Sequence, residues 1–346
     1  AWAGLCETDL RLYDIANDPE RFDEAESACQ RAKAIDPGLY YEVGVALGKL
    51  YRFRGWYSQG EQTVRELIDS NPTEVDAYIE LGNILLLQSR EKEAEAYLLR
   101  AVDLNRGYWR AWEGLANLYY SKNRYPEAAA AYEMLTRLTP DMASGFASTG
   151  ATYWMMGDTE RAMEAYVESI RIKPSRQAYT NIGLLHYYNG DFEAAVTMQK
   201  EALTLAPDDH RIWGRLAESY RFLPGEEQAS RNAYARAAEL AAANLTVNED
   251  DAVTRAMLGL YQIHLGDNGA AKTSMAQALA STPDDPEVLY FAALLEVAVG
   301  EADKAVQYIG AAYEADTDYS VFIVADPDLA QLNSHADYKK LLEKFP

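Results

Sequence analysis

Residues 111–140 read Ala111-Trp112-Glu113-Gly114-Leu115-Ala116-Asn117-Leu118-Tyr119-Tyr120-Ser121-Lys122-Asn123-Arg124-Tyr125-Pro126-Glu127-Ala128-Ala129-Ala130-Ala131-Tyr132-Glu133-Met134-Leu135-Thr136-Arg137-Leu138-Thr139-Pro140. Trp112, Leu115, Ala116 and Tyr119 recur at spacings of three and four, which puts one apolar stripe on a helix. A turn residue comes next at Asn123, and Pro126 suits the first turn of a second helix. The small residues Ala116 and Ala128 lie twelve positions apart, on either side of that turn. Antiparallel helices can therefore approach closely where the two cross. Pro140 then separates this pair of helices from the next pair.

The same pattern extends outward in both directions. Pro37, Pro72, Pro140, Pro174, Pro207 and Pro283 are spaced 35, 68, 34, 33 and 76 residues, near multiples of 34 with one insertion. A first small residue recurs at Gly48, Gly82, Ala116, Gly150, Gly183, Ala217, Gly259 and Ala293. A second recurs at Gly60, Ala94, Ala128, Ala162, Ala195, Ala271 and Ala305, with turn residues between at Gly55, Ser89, Asn123, Gly157, Gly190, Gly266 and Gly300. One hairpin cannot bury its apolar face alone, so neighbours must stack around a continuous core. These residues, with the equivalents Ile182-Gly183, Gly190-Asp191-Phe192-Glu193-Ala194-Ala195 and Leu258-Gly259, resemble the tetratricopeptide repeat (TPR) family. The resemblance covers nearly the whole chain. It implies an all-α fold: a right-handed superhelical solenoid of about nine stacked αα-hairpins with C-terminal capping helices.

Three segments are expected: an N-terminal hairpin over 1–37, the repeat solenoid over 38–317, and a tail over 318–346. The seventh hairpin is irregular at Phe222-Leu223-Pro224-Gly225, and its second helix is expected to run to about Asn244. The tail reads as short helices covering the last hairpin and is similar to C-terminal TPR regions of bacterial regulators.

Composition narrows the function. The 346 residues carry 54 acidic and 32 basic side chains, a net charge of −22, so a nucleic-acid partner is not expected. A hydrophobic content of 49% excludes wholesale disorder. No run approaches the ~18 apolar residues of a membrane span, and no membrane insertion is expected. His186, His210, His264 and His335 are scattered, without metal-ligand spacing to a carboxylate or cysteine. No metal or cofactor is expected, and no nucleophile–base constellation assembles, so the chain is not expected to be an enzyme.

The two cysteines, Cys6 and Cys29, sit nearly equidistant from a turn centred on Asn17-Asp18. Antiparallel helices would face them, close enough for a disulfide; two small buried residues would fit the same spacing. A bond there implies an oxidising compartment, periplasmic or extracellular, with the cytoplasm left open.

In the TPR family the first helix of each hairpin lines the inner, concave surface. One inward position gives Leu86, Tyr120, Trp154 and Tyr187, and its neighbour adds Met155, Tyr188 and Phe222. Rings in such a strip can anchor a protein or peptide segment, or can fill gaps between successive helices. Asn181, Arg211 and Arg215 are similar in placement to part of the carboxylate clamp of chaperone-binding members, with Ala147 and Ala151 where that clamp has a cation and an amide. The expected function is a protein-interaction scaffold. One alternative is head-to-tail self-assembly into an extracellular filament through Trp2 and Leu5 at one end and the apolar run Tyr319–Val324 at the other. Another is a docking region of a larger bacterial regulator.

Overall fold

The computed structural model describes Cys6, Thr8 and residues 19–35 and 40–345. Helix α1 (Pro19–Ile35) is followed by three αα-hairpins, α2 (Tyr40–Phe53) with α3 (Tyr57–Ser70), α4 (Val75–Leu87) with α5 (Glu91–Leu104) and α6 (Trp109–Ser121) with α7 (Tyr125–Leu138), then by the helices α8 (Ala143–Met155) and α9 (Thr159–Ile172), and then by four more hairpins, α10 (Arg176–Tyr188) with α11 (Phe192–Leu205), α12 (His210–Arg221) with α13 (Glu227–Val247), α14 (Ala252–Leu265) with α15 (Asn268–Ser281), and α16 (Pro286–Ala298) with α17 (Ala302–Ala315). The tail forms α18 (Tyr319–Ala325), a 3₁₀ helix (Pro327–Ser334) and α19 (Ala336–Leu342). No strand occurs among the described residues. The long α13 ends three residues beyond the expected Asn244.

The marker residues do what their chemistry predicts. Every expected turn residue has positive φ, including the non-glycines Ser89 at 59° and Asn123 at 56°. Left-handed backbone at these points reverses the chain between paired helices. Small residues mark the crossings: a Cβ on Gly82 would lie 2.6 Å from Leu98 Cγ. Asp158, Ser175, Asp209, Asp251, Asp267 and Asp285 each cap the following helix by accepting a backbone N–H. A further bond recurs across repeats: Tyr78 Oη, Trp112 Nε1 and Trp213 Nε1 each donate to the carbonyl six residues earlier. These bonds tie the first helix of a hairpin to the junction that precedes it.

The chain forms two compact units, Ala1–Thr152 and Tyr153–Pro346. In the first unit, Val64, Leu81, Leu98, Leu115 and Leu135 run through one core spanning successive hairpins. A smaller cluster joins Cys6, Cys29, Ala25, Ala28, Val43 and Leu47. The Cα atoms of Cys6 and Cys29 are 4.9 Å apart with the sulfurs at bonding distance. The turn centred on Asn17-Asp18, and the residues Trp2 and Leu5 of the filament reading, lie outside the described residues. Arginine–glutamate pairs link successive hairpins, Arg90 to Glu61 at 2.7 Å and Arg124 to Glu95 at 2.9 Å.

In the second unit the core passes through Leu216, Tyr234 and Tyr261 to Leu289, Ile309 and Ile323. The tail packs on the last hairpin as expected, burying Leu329, Leu332 and Tyr338. The apolar run Tyr319–Val324 is largely used inside this unit: Ile323 is fully buried and Phe322 packs inward, leaving Val324 as its exposed member at 64%.

Candidate recognition groove of the second unit

Ser175 caps α10, and the helix carries Tyr187 and Tyr188 in its last turn. There Tyr187 meets three rings edge-on: Tyr188 at 5.5 Å, Phe192 at 5.7 Å and Phe222 at 5.9 Å between centroids. Phe192 stacks on Phe222 at 4.5 Å. Trp154 joins through Tyr188 at 6.0 Å. Four of the expected strip residues therefore form one cluster: Trp154, Tyr187, Tyr188 and Phe222. Tyr120 belongs to the first unit, where it meets Tyr125 edge-on at 5.5 Å.

The tail crosses this cluster. Phe322 meets Trp154 edge-on at 5.7 Å and lies 6.3 Å from Tyr188. The Tyr187 hydroxyl donates to Asp328 Oδ2 at 3.1 Å, and Arg221 pairs with both oxygens of Asp328. The Tyr290 hydroxyl donates to Asp326, which also accepts the Asp328 amide at 2.8 Å. Trp154 is thereby only 8% exposed and Tyr187 only 5%. The rings therefore pack on one another and against the chain's own tail.

Beside the tail lies a cavity of about 130 Å³. Its walls come from the first helices α10, α12, α14 and α16 and from the tail, with no contribution from α11, α13, α15 or α17. First helices and the tail thus enclose this cavity. The rings are Tyr187, Tyr188, Tyr290, Phe291, Tyr319 and Phe322; the charged residues are Arg215, Glu218, Glu287, Asp326 and Asp328. Burial pushes the Glu218 carboxyl up to about 7; Arg215 opposes this, while Asp328 and Asp326 reinforce it. Asp326 also rises to about 7, through burial and the neighbouring Asp328, against the Tyr290 hydrogen bond. Glu287 is raised by burial against the pull of Arg211 and Arg215.

The three clamp-like residues do not share one wall. Arg215 lines the cavity, while Arg211 lies 4.0 Å from Glu287 and lines an open groove with Arg176, His210 and Asp251. Asn181 lines neither. Among the described residues no group of three or more His, Cys, Asp or Glu could hold a metal ion. No helix among them is long and apolar enough to cross a membrane. Sequence reasoning did not single out Glu218, Arg221, Tyr290, Asp326 or Asp328 as site residues. Arg221 and Asp328 stand 107 residues apart, so no local pattern marks the pair.

Tetratricopeptide repeat models match residues 45–108, 93–143, 114–177 and 256–320, and a second such model matches 177–209. The chain belongs to the tetratricopeptide repeat family. Human protein O-mannosyl-transferase TMTC1 is 23% identical over 191 residues, 54% of this chain and 22% of that protein. The DnaJ homolog subfamily C member 7 homolog of Schizosaccharomyces pombe is 26% identical over 189 residues, 50% of this chain and 38% of that protein. The chain thus spans well under half the length of these curated relatives. A tetratricopeptide repeat protein from Parabacteroides merdae shares the fold at TM-score 0.53 and 14% identity, covering 88% of this chain and 98% of that one. The Cut9–Hcn1 structure does so at TM-score 0.51 and 17% identity, covering 93% and 59%.

Proposed function

We propose that this TPR chain is a non-catalytic scaffold that holds a segment of a partner protein on the inner face of its second unit. Trp154, Tyr187, Tyr188 and Phe222 are the anchors. The observation that supports this most is that the face already carries a protein segment. The chain's own tail lies there, held by the Phe322 ring and the Asp328 carboxylate. Rigid rings with a polar tip suit that task, because they bury much surface at little entropic cost. The co-chaperone and peroxisomal targeting receptor among its relatives are in keeping with a binding role.

The test is selection of peptides from a displayed library on the intact protein. Selected peptides should lose at least tenfold in affinity with Trp154→Ala. They should gain several-fold with Phe322→Ala, which removes the tail's ring from the strip. Binding indifferent to both substitutions would contradict the assignment. We further read the Cys6–Cys29 pair as a disulfide that pins the first hairpin and assigns the chain to an oxidising compartment. A thiol titration under denaturing conditions should then find no free thiol before reduction and two after it.

A further inference from the structure

The cavity beside the tail has a charge pattern that the scaffold reading leaves unused. Four carboxylates face it against one guanidinium. Two are compensated from outside the lining: Asp328 by Arg221, and Glu287 by Arg211 at 4.0 Å. Asp326 is held by the Tyr290 hydroxyl and a backbone amide. Glu218 carries no hydrogen bond or ion pair among the described residues, although it lies in the same wall. Arg215, one turn before it on α12, acts on it only at a distance.

Size and donor set narrow what would satisfy this arrangement. A cavity of about 130 Å³ is close to the ~150 Å³ that accepts a benzene ring, so it takes one side-chain-sized group. The carboxylates are spread around six rings instead of converging on a point, which disfavours an inorganic cation. An organic cation gains from both features, since its charge is attracted to carboxylates and to the faces of aromatic rings.

We propose that this cavity binds a single alkylammonium group, held by Glu218 and Asp326 and enclosed by Tyr188, Tyr290 and Phe322, and that the group is that of a free primary alkylamine. The tail supplies Phe322, Asp326 and part of the wall, so the site is complete only with the tail in place. It therefore belongs to the state in which no partner segment has displaced the tail, and it does not rest on the scaffold reading above.

The site's pH response has a definite sign. Glu218 is faced by Arg215 and Arg221 from α12, Asp326 and Asp328 from the tail, Tyr187 and Tyr188 from α10, Tyr234 from α13, and Tyr261 and His264 from α14. Glu287 of α16 completes the charged lining. A cation binds the ionised carboxylates, which here give up their protons near neutrality. Affinity should therefore rise about tenfold or more from pH 5.5 to pH 8.

The experiment is calorimetric titration of the intact chain with n-butylammonium, butan-1-ol and butyrate. The ammonium should bind at least tenfold tighter than either isostere. Glu218→Gln should weaken it about tenfold, and Arg215→Gln should strengthen it several-fold by removing a like charge. An effect of Arg215→Gln in that direction is not what a merely structural role would give. Butan-1-ol binding as well as the ammonium, or an affinity unchanged in both variants, would overturn the site. A second arm adds library-selected peptides: they should lower the ammonium affinity at least several-fold, because a bound segment displaces the tail that supplies Phe322 and Asp326. Butylammonium binding undiminished at peptide saturation overturns the tail's part in the site. Peptide capture that persists while the ammonium is refused defeats this inference and leaves the scaffold reading standing.

Discussion

Glu218→Gln should stabilise the second unit at pH 8 and leave it nearly unchanged at pH 5. In the folded chain the Glu218 carboxyl titrates at about 7 instead of 4.5, because burial disfavours its charged form. At ~1.36 kcal/mol per unit, the ceiling on the effect is about 3 kcal/mol. The side chain opens partly into the cavity, so solvent screening reduces the expectation to ~1–2 kcal/mol. The folded state holds the proton more tightly than the unfolded state. As pH rises from about 4.5 to 7, the unfolded chain ionises first, and stability falls across that window. Asp326, also raised to about 7, acts in the same direction, as does the self-repulsion of a chain carrying −22. The parent should therefore be more stable near pH 5 than at pH 8, and the variant should show a smaller difference. Urea unfolding followed by tryptophan fluorescence at both pH values reads this directly. In a unit of this size, ~1 kcal/mol corresponds to a melting shift of about 2–4 °C. A variant that loses the same stability at both pH values would refute the reasoning, because Glu218 would then be acting as a hydrogen-bond acceptor and not as a strained charge.

Gly82→Ala should cost ~1–3 kcal/mol in denaturant unfolding, because its Cβ would lie 2.6 Å from Leu98 Cγ in a core position only 1% exposed. Ser89→Gly should gain a few tenths of a kcal/mol in the same assay, since relief of φ 59° slightly outweighs the added freedom of the unfolded chain. Arg221→Ala leaves Asp328 without its guanidinium and should loosen the tail, read as several-fold faster limited proteolysis within residues 319–334 and unchanged cleavage elsewhere. Reduction of the Cys6–Cys29 bond should lower the unfolding free energy of the first hairpin by ~2–4 kcal/mol, measured by denaturant titration with and without reductant.

The repeat architecture was legible because its determinants are local and recur. Ser89 and Asn123 announced turns and adopt left-handed backbone; Gly82 announced a close crossing and meets Leu98 across it. The rings at 154, 187, 188 and 222 were legible for the same reason, since a repeat register assigns an inward position without knowledge of neighbours. The tail's role was not. Asp326-Pro327-Asp328 reads locally as a helix start, and Asp326 does cap the 3₁₀ helix. That Asp328 meets Tyr187, 141 residues earlier, depends on the path of the chain and leaves no periodic trace. Glu218 was hidden differently: one glutamate on a helix looks like solvated surface until the opposite wall is known.

The central claim is that the inner face of the second unit recognises protein segments, with the tail as its resident occupant. A photo-reactive residue at Tyr188 in the intact chain tests it most directly, irradiated with and without a library-selected peptide. The account predicts an internal adduct to residues 319–328 in the free protein, replaced by a peptide adduct as peptide is added. An internal adduct that persists undiminished while the peptide crosslinks elsewhere, or fails to crosslink at saturation, would contradict it.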